Sequence, residues 1–394
     1  MASFDDLTHR LPRRPAMPFL PAGAGAIAAY GCAMLGICCL LAVLCFHFPH
    51  WLTLPELRAL YGEAFARQAL QISLIATFVL GLVALLSGHR RRLALVGLTT
   101  GAAAVLWGGA TIPVAAIPTT PISLGLDWFV LSLLASVALF VPLERVLAKD
   151  PAQPVLRPKW RTDLTYFFAS HLLVQWVLIF GTTASSWLVG WTDPTGLQSW
   201  VAAVPWGVQL LLAIVVADLA QYAVHRTYHS VAWLWRFHAV HHSSEAMDWL
   251  AGSRIHLVET MVTRSAVLIP LMLLGVSPQA MNAYVIIVGV QAVLSHANLR
   301  VGAGWLRYVV VTPHYHHWHH SADPAYADKN FAIHLPVIDM IFGTFKVPPH
   351  QWPDSYGVID EPLPGDILGQ HLYPFRSRQP TAATAHDRHG LHNE

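Results

Sequence analysis

The stretch WGVQLLLAIVVADLAQYAVHRTYH, from Trp206 to His229, decides the fold, because it is an apolar segment of membrane length that ends in two histidines. About 20 apolar residues in a helix cross the hydrocarbon layer of a bilayer. The apolar part contains one charged residue, Asp218, and the two histidines are spaced four apart, on one helix face. The stretch therefore predicts a membrane helix that delivers imidazoles to one membrane surface.

The rest of the chain is similarly apolar. Of its 394 residues, 55% are hydrophobic and 12% are charged, and the mean hydropathy is +0.46, which is too apolar for a soluble domain. Runs of spanning length lie at Ala24–Phe46, Ala69–Ser87, Leu93–Ile117, Leu124–Val141, Tyr166–Val189 and Trp206–Val224. We predict an all-α integral membrane protein, a multi-span helical bundle with a cytoplasmic histidine-rich helical cap.

Several classes of protein are excluded by composition. The first apolar run is too long for a cleavable signal peptide. All four cysteines lie within this run, so neither a disulfide framework nor a CxxC metal site is indicated. The net charge of +2 is spread along the chain without a basic stripe, so we expect no nucleic-acid partner.

The charges of the loops predict the orientation, because short cytoplasmic loops collect Lys and Arg. Basic residues gather at the N-terminus, after the second run and after the fourth, at Arg10, Arg13, Arg14, Arg90, Arg91, Arg92, Arg145, Lys149, Arg157, Lys159 and Arg161. By parity the sixth span ends in the cytoplasm. We expect a multi-pass protein of a bacterial inner membrane, with its histidines on the cytoplasmic side.

A hairpin is predicted beyond the first histidines. Val267–Val276 and Ala280–Leu294 are apolar and meet at a Ser-Pro turn signal. This hairpin would leave and re-enter on one side and return His296 to the cytoplasm. Its first arm is short and follows Glu259 and Arg264, so a shallow re-entrant hairpin stays open as an alternative.

Three histidine clusters have helical spacing: HRTYH, HAVHH and HHWHH. Each can aim two or three imidazoles at one point, and together with His296 they could fill two coordination spheres. Imidazole suits Fe, Zn, Cu and Ni, whereas Mg and Ca prefer oxygen ligands. A catalytic zinc site needs three protein ligands, so two metal ions are the economical interpretation. His314, His317 and His334 lie off the shared faces and are interpreted as bystanders.

Other side chains near the clusters have two interpretations each. Asp218 could orient an imidazole from another cluster or form structural hydrogen bonds. The pair Arg254 and His256 could supply a tenth ligand, contact a lipid headgroup or anchor the chain. The aromatic side chains around the second cluster could line an acyl channel or anchor the protein at the interface; they are Trp233, Trp235, Phe237 and Trp249.

These motifs resemble the membrane-bound fatty acid hydroxylase and sterol desaturase superfamily. The pattern of Asp218, HRTYH, HAVHH, a hairpin, SHANL and TPHYHHWHH is similar to the histidine boxes of that family, and NFAIHLPVIDMIFGTF, from Asn330 to Phe345, resembles the segment that follows them. The resemblance covers roughly residues 127–345. Ala332, Ile338 and Leu257 stand where the family usually has Gly, Trp and Pro.

The resemblance implies a di-iron centre that activates O2 and oxidises a lipid C–H bond. The implied ligands are His225, His229, His238, His241, His242, His296, His316, His319 and His320. The predicted catalytic site also includes Asp218, Arg254, His256 and Asn298. The implied substrate is a fatty acyl chain, a sterol or a related lipid, and hydroxylation and desaturation are both compatible with such a centre.

The resemblance also suggests a division of the chain. Residues 1–120 would be additional transmembrane helices, 121–345 the catalytic core and 346–394 a cytoplasmic tail. The sequence has no GxGxxG followed by an acidic residue and no ferredoxin-like cysteine set. We therefore expect electrons from a separate ferredoxin, cytochrome b5-like protein or reductase.

Two functions from other classes are weighed against the oxygenase. A zinc-dependent membrane hydrolase would need three of the histidines and a carboxylate base, but the chain lacks HExxH. A histidine-rich metal or ion transporter would need polar residues through the depth of several spans, whereas here they gather at one face. A b-type haem would need only two axial histidines.

Overall fold

The computed structural model describes residues 24–54, 58, 63–88, 90–113, 115, 123–173, 176–177, 183–184, 187, 196–302, 304–358 and 363–376. Within these ranges the secondary structure is helical and contains no strand. The helices are α1 (Ala24–His47), α2 (Pro49–Leu52), α3 (Glu63–Ser87), α4 (Arg91–Leu106), α5 (Leu126–Val146), α6 (Trp160–Leu172), α7 (Leu197–Ala203), α8 (Trp206–Ser230), α9 (Ala232–His242), α10 (Leu257–Leu273), α11 (Pro278–His296), α12 (Pro313–His319), α13 (Val337–Ile341) and α14 (Ile367–Leu372).

Six segments are long and apolar enough to cross a membrane: α1, α3, residues Arg91–Thr111, α5, α8 and α11. The prediction of an all-α, multi-pass membrane protein is confirmed. Five of these segments match predicted spans. The remaining predicted span, Tyr166–Val189, begins within α6, and most of it lies outside the described residues.

The chain divides into two compact units, Met1–Ala135 and Ser136–Glu394. In the first unit α1 packs against α3 and α4, and the backbones of α1 and α4 come into close contact. A Cβ atom added to Gly97 would lie 2.3 Å from the carbonyl oxygen of Cys32, and one added to Gly36 would lie 2.2 Å from that of Gly97. Small residues allow membrane helices to approach this closely. The four cysteines are buried and free.

In the second unit α8 packs against both arms of the hairpin. Ala213 and Ala217 of α8 share a buried cluster with Val267 and Leu271 of α10 and with Tyr284 of α11. The two alanines let the neighbouring helices come close, because they add little side-chain volume. The packing places the C-terminal ends of α8 and α11, which carry histidines, in the same region.

Helix ends determine where the histidines point. The hydroxyl of Ser277 accepts a hydrogen bond from Ala280 N at the start of α11, and that of Thr312 accepts one from Tyr315 N at the start of α12. Each capping residue is followed by a proline, which suits the first helical position. Thr312 thus begins a single helix that carries His316 and His319 and ends just before His320.

The first arm of the hairpin differs from its prediction. Helix α10 begins at Leu257, ten residues before the predicted arm, so Glu259 and Arg264 lie inside the helix and not ahead of it. The extension is stabilised at its start by the ring of His256, whose Nδ1 accepts a hydrogen bond from Val258 N. This longer helix brings Glu259 to the histidines.

Candidate metal centre

The nine predicted ligands come from four helices. Helix α8 supplies His225 and His229 near its C-terminus, α9 supplies three histidines, and α11 ends at His296. Helix α12 and the residue after it supply His316, His319 and His320. The helical spacing predicted for each cluster is confirmed.

The histidines form two groups, in each of which one nitrogen per ring lies within 4.8 Å of the others. The five-histidine group contains His225, His229, His238, His242 and His319, and the four-histidine group contains His241, His296, His316 and His320. The rings of His242 and His320 stack at 4.4 Å and join the groups. All nine predicted ligands are therefore brought together, in two adjacent sets.

Backbone carbonyls fix the orientation of several rings. Nδ1 of His225 lies 2.8 Å from the carbonyl oxygen of Phe331, and Nδ1 of His319 lies 2.8 Å from that of Lys329. In the four-histidine group, Nδ1 of His241 lies 3.0 Å from the carbonyl of Arg254. A carbonyl can only accept a hydrogen bond, so each of these Nδ1 atoms carries the proton. The Nε2 atom of the same neutral ring then presents a lone pair.

These lone pairs face each other across short distances. Nδ1 of His296 donates to the carbonyl of Ala292 at 2.7 Å, so its Nε2 is also unprotonated in the neutral ring. Yet Nε2 of His296 lies 3.2 Å from Nε2 of His241, which is also unprotonated. Two unprotonated nitrogens cannot hydrogen-bond to each other. A cation held between them removes this conflict, so the residues present fit a metal ion.

Burial keeps these rings neutral. Burial lowers the pKa of His238 and His241 well below the ordinary value, and neighbouring imidazoles lower it further. The same causes lower the pKa of His242, His316 and His320. Neutral imidazole is the form that binds transition metals. The electrostatics of the site therefore favour metal binding over protonation.

Several buried ring nitrogens have no hydrogen-bond partner among the described residues. They include Nε2 of His229 and of His319, both in the five-histidine group. A buried polar atom without a partner is costly unless something else satisfies it. Coordination of a metal ion would satisfy both atoms.

Two carboxylates lie behind the five-histidine group, and neither was predicted as a site residue. Oε1 of Glu259 lies 2.6 Å from Nδ1 of His238, and Oδ1 of Asp328 lies 3.1 Å from Nδ1 of His229. Carboxylates in this position orient a metal-binding ring and raise its basicity. Glu259 stood out in the sequence only as a charge beside an apolar run, and Asp328 carried no signal.

The loop that follows α12 supports three rings of the same group. Asp328 and the carbonyls of Lys329 and Phe331 contact one ring each. Asp328 and Asn330 adopt left-handed backbone conformations, with φ of 55° and 62°. This conformation is tolerated best by Asn and Asp among residues with a side chain. The loop thus turns sharply enough to direct consecutive acceptors at the histidines.

Buried carboxylates hold this loop in place. Asp339 accepts hydrogen bonds from Phe331 N at 2.8 Å and Ala332 N at 2.7 Å, and also from the hydroxyls of Tyr315 and Thr344. Asp339 lies in the segment NFAIHLPVIDMIFGTF, whose resemblance to the family was the available signal. A carboxylate with this many donors is well satisfied in its buried position.

The carboxylate of Asp218 contacts backbone N–H groups and, among the described residues, no imidazole ring. It is fully buried and accepts backbone hydrogen bonds from Ile333 at 2.8 Å, His334 at 3.2 Å and Leu335 at 2.6 Å. The other interpretation, structural hydrogen bonding, matches this geometry. Asp218 therefore acts on the site through the loop.

Arg254 lies outside both groups and does not face the ligand nitrogens. It is fully buried, with Nε 2.6 Å from Asp163, which also contacts Arg157 at 2.8 Å. Arg157 in turn contacts Asp248 at 2.9 Å. This ion network fixes the Arg254 backbone, whose carbonyl holds His241. Arg254 is a positioning residue rather than a direct participant.

His256 and Asn298 also lie outside the groups. Both ring nitrogens of His256 have partners, Val258 N and the carbonyl of His371, so the geometry does not favour a tenth ligand. The side chain of Asn298 makes two 2.9 Å hydrogen bonds with the backbone of Asp150. These contacts support a structural role, and a direct role of the two residues at the site stays a prediction.

The other histidines and the aromatic residues singled out in the sequence lie in different positions relative to the two groups. His314, His317 and His334 lie outside both groups, and the ring nitrogens of His317 contact Tyr356 and the carbonyl of His296. Trp235 packs against the rings of His229 and His242 at 5.0 and 5.3 Å. Among the aromatics, Trp233 is exposed, whereas Phe237 and Trp249 are buried.

Comparison with known proteins agrees with the resemblance seen in the histidine motifs. Residues 210–344 match the family described as fatty acid hydroxylase. The ornithine lipid hydroxylase OlsE of Rhizobium tropici is 27% identical over 251 residues, which cover 63% of this chain and 76% of OlsE. The alkylglycerol monooxygenase of Danio rerio is 32% identical over 151 residues, which cover 37% of this chain and 31% of the relative.

A third relative is named for a different activity. The very-long-chain aldehyde decarbonylase GL1-1 of Oryza sativa subsp. indica is 28% identical over 148 residues, or 35% of this chain and 23% of the relative. No solved structure matches the chain. The matched segment contains all nine histidines of the two groups. The predicted resemblance to the membrane-bound fatty acid hydroxylase and sterol desaturase superfamily is confirmed over residues 210–344.

Proposed function

We propose that this protein is a membrane-bound, non-haem di-iron oxygenase that uses O2 and external electrons to hydroxylate a lipid. The observation that carries the proposal is the convergence of nine buried imidazoles into two adjacent groups, in which the Nε2 lone pairs of His241 and His296 face each other. Iron is preferred because imidazole suits it and because the relatives include a lipid hydroxylase and a monooxygenase. These names also favour hydroxylation over desaturation.

Two bound iron ions would supply the coupling between O2 reduction and oxidation of a lipid C–H bond. In the balanced reaction, O2, two electrons and two protons convert one C–H bond to C–OH and release water. The chain's task is positioning. Carbonyls and carboxylates hold Nδ1 of the ligand rings, and Trp235 forms an apolar wall beside His229 and His242. An apolar wall excludes water and suits a hydrocarbon chain.

We propose a membrane lipid as substrate, with an aminolipid such as ornithine lipid as the first candidate, since OlsE covers more of this chain than the other relatives described above. The lipid would enter sideways from the bilayer. The loop charges support a cytoplasmic position for the histidines in a bacterial inner membrane. A separate ferredoxin, cytochrome b5-like protein or reductase would deliver the electrons. Residues 121–345 are proposed as the catalytic core.

The alternative functions are less well supported. A zinc hydrolase would use three protein ligands and one open position, which leaves most of the nine histidines without a role. A transporter would need ionisable residues along its spans, whereas both groups lie at helix ends. We therefore retain the oxygenase alone.

The proposal is tested on the full chain purified in detergent. We expect about two irons per chain and, with ornithine lipid, a reducing system and 18O2, a product that carries one 18O atom by mass spectrometry. The matched pair of variants is His241→Ala, which removes a group member, and His314→Ala, a histidine outside both groups. The first should lose iron and product, and the second should retain both. One tightly bound zinc, with no oxygen incorporation after iron loading, would overturn the proposal.

A further inference from the structure

The two histidine groups differ in what stands behind their rings. In the five-histidine group, two Nδ1 atoms face carboxylates, Glu259 at 2.6 Å and Asp328 at 3.1 Å. In the four-histidine group no Nδ1 atom has a carboxylate partner among the described residues. Two of its rings have backbone carbonyls, and Nδ1 of His316 and of His320 is buried without any partner.

This difference changes the strength of the ligands. A ring whose Nδ1–H donates to a carboxylate becomes a stronger donor at Nε2 and keeps a fixed orientation. A ring without an Nδ1 partner gains neither effect. The five-histidine group also has one more ligand and lies beside two acidic groups. Coulomb attraction between a cation and an ionised carboxylate beside it adds to its retention, although water screens this attraction at Asp328, whose side chain is 67% exposed.

We propose that the two metal positions are unequal in affinity, and that Glu259 and Asp328 are the positioning residues that make the five-histidine group hold its ion more tightly. The inference rests on the proposed two-metal centre, but not on the reaction assigned to it. The four-histidine group is the position that empties first. A protein prepared with limited iron would then contain one ion, held by the five-histidine group.

The test measures iron release without reference to activity. Detergent-purified protein loaded with iron(II) is exposed to the chelator ferrozine, and the coloured complex is followed over time. We expect two phases of about one iron each, with the first at least roughly tenfold faster, since partners of this kind change metal affinity about 10- to 100-fold. His320→Ala should abolish the fast phase and leave one slowly released iron.

Glu259→Gln and Asp328→Asn should each accelerate the slow phase and leave the fast phase unchanged. The matched controls are Glu245→Gln and Asp323→Asn, because these carboxylates contact Lys159 and Ala325 N rather than a histidine. Asp328 is largely exposed, so its variant should fold even if Glu259→Gln does not. Neither control should change either phase.

The inference is overturned if both irons leave in one phase, or if Asp328→Asn and its control release iron alike. The outcome is separable from that of the proposed function. Two unequal iron sites in a protein that incorporates no 18O would leave the inference standing and remove the oxygenase. Oxygen incorporation together with a single release phase would support the oxygenase and overturn the inference of two unequal sites.

Discussion

The first unit and the histidine region are both helical, but different forces specify them. In the unit up to Ala135, helices meet through small residues, and a Cβ at Gly97 would clash with the backbone of Cys32. In the histidine region, buried carboxylates and carbonyls direct polar rings, as Asp218 and Asp339 do through the loop. Close packing therefore specifies the first region, and satisfied hydrogen bonds specify the second.

The largest effect that separates the two regions is expected from their buried aspartates. Asp218→Ala leaves three backbone N–H groups without their acceptor, at about 1–3 kcal/mol for each one that stays buried. We expect a lower melting temperature in detergent and loss of iron, because the loop that supports His225 is released.

The control for Asp218→Ala lies in the first unit. Asp127 accepts hydrogen bonds from Leu54 N and Trp128 N. Asp127→Ala should also lower the melting temperature, yet the protein that remains folded should keep its iron. Equal iron loss in both variants would mean that the two regions are not specified independently.

A smaller effect is expected when a glycine at a close helix contact is replaced by valine. Gly97→Val should destabilise the protein by at least about 1–3 kcal/mol, because its side chain meets the Cys32 backbone and cannot be accommodated without displacing a helix. The control is Gly289→Val in α11, where an added Cβ has no neighbour within 4 Å. Thermal melting should distinguish the two variants, and iron per folded chain should be unchanged in both. A stable Gly97→Val would contradict close packing as the force in the first unit.

The smallest effect concerns histidines on one helix. His314→Gln removes a 2.6 Å hydrogen bond to the carbonyl of Gln351, and the loss should be about 1 kcal/mol with iron content unchanged. His316→Gln, two residues further along α12, should lose iron from the four-histidine group. Iron analysis and melting of the two proteins make the comparison. Iron loss from His314→Gln would place that ring in the site after all.

The same contrast explains how much the sequence predicts. Apolar runs of spanning length and histidines at positions i, i+3 and i+4 are local patterns, so most of the spans and eight members of the two groups follow from spacing. The ninth, His296, stands alone in the sequence and is identified by its place after the hairpin and by the resemblance. The supporting contacts are not local. His229 meets Asp328 across 99 positions of sequence, and the acceptors for His225 and His319 are backbone carbonyls, which leave no mark in a residue pattern.

Two residues of the predicted catalytic site show a related limit. Arg254 and Asn298 stand near histidines in the sequence, but their side chains are engaged by Asp163 and by the backbone of Asp150. Sequence proximity to a ligand identifies the neighbourhood, not the direction of a side chain. Likewise, the early start of α10 depends on the side chain of His256 as its N-cap residue, and the composition of the segment does not predict this role.

The distribution of the nine histidines along the chain affects biosynthesis. They extend from His225 to His320, and a supporting carbonyl lies at Phe331. Neither group is complete until the ribosome has passed this last segment, by which time the preceding spans can have entered the membrane. Metal binding then joins distant chain segments, and it stabilises only the folded cap by mass action. In cells short of iron, we expect protein whose spans are inserted but whose histidine-bearing segments are not fully folded. Proteases should then cleave it in those segments.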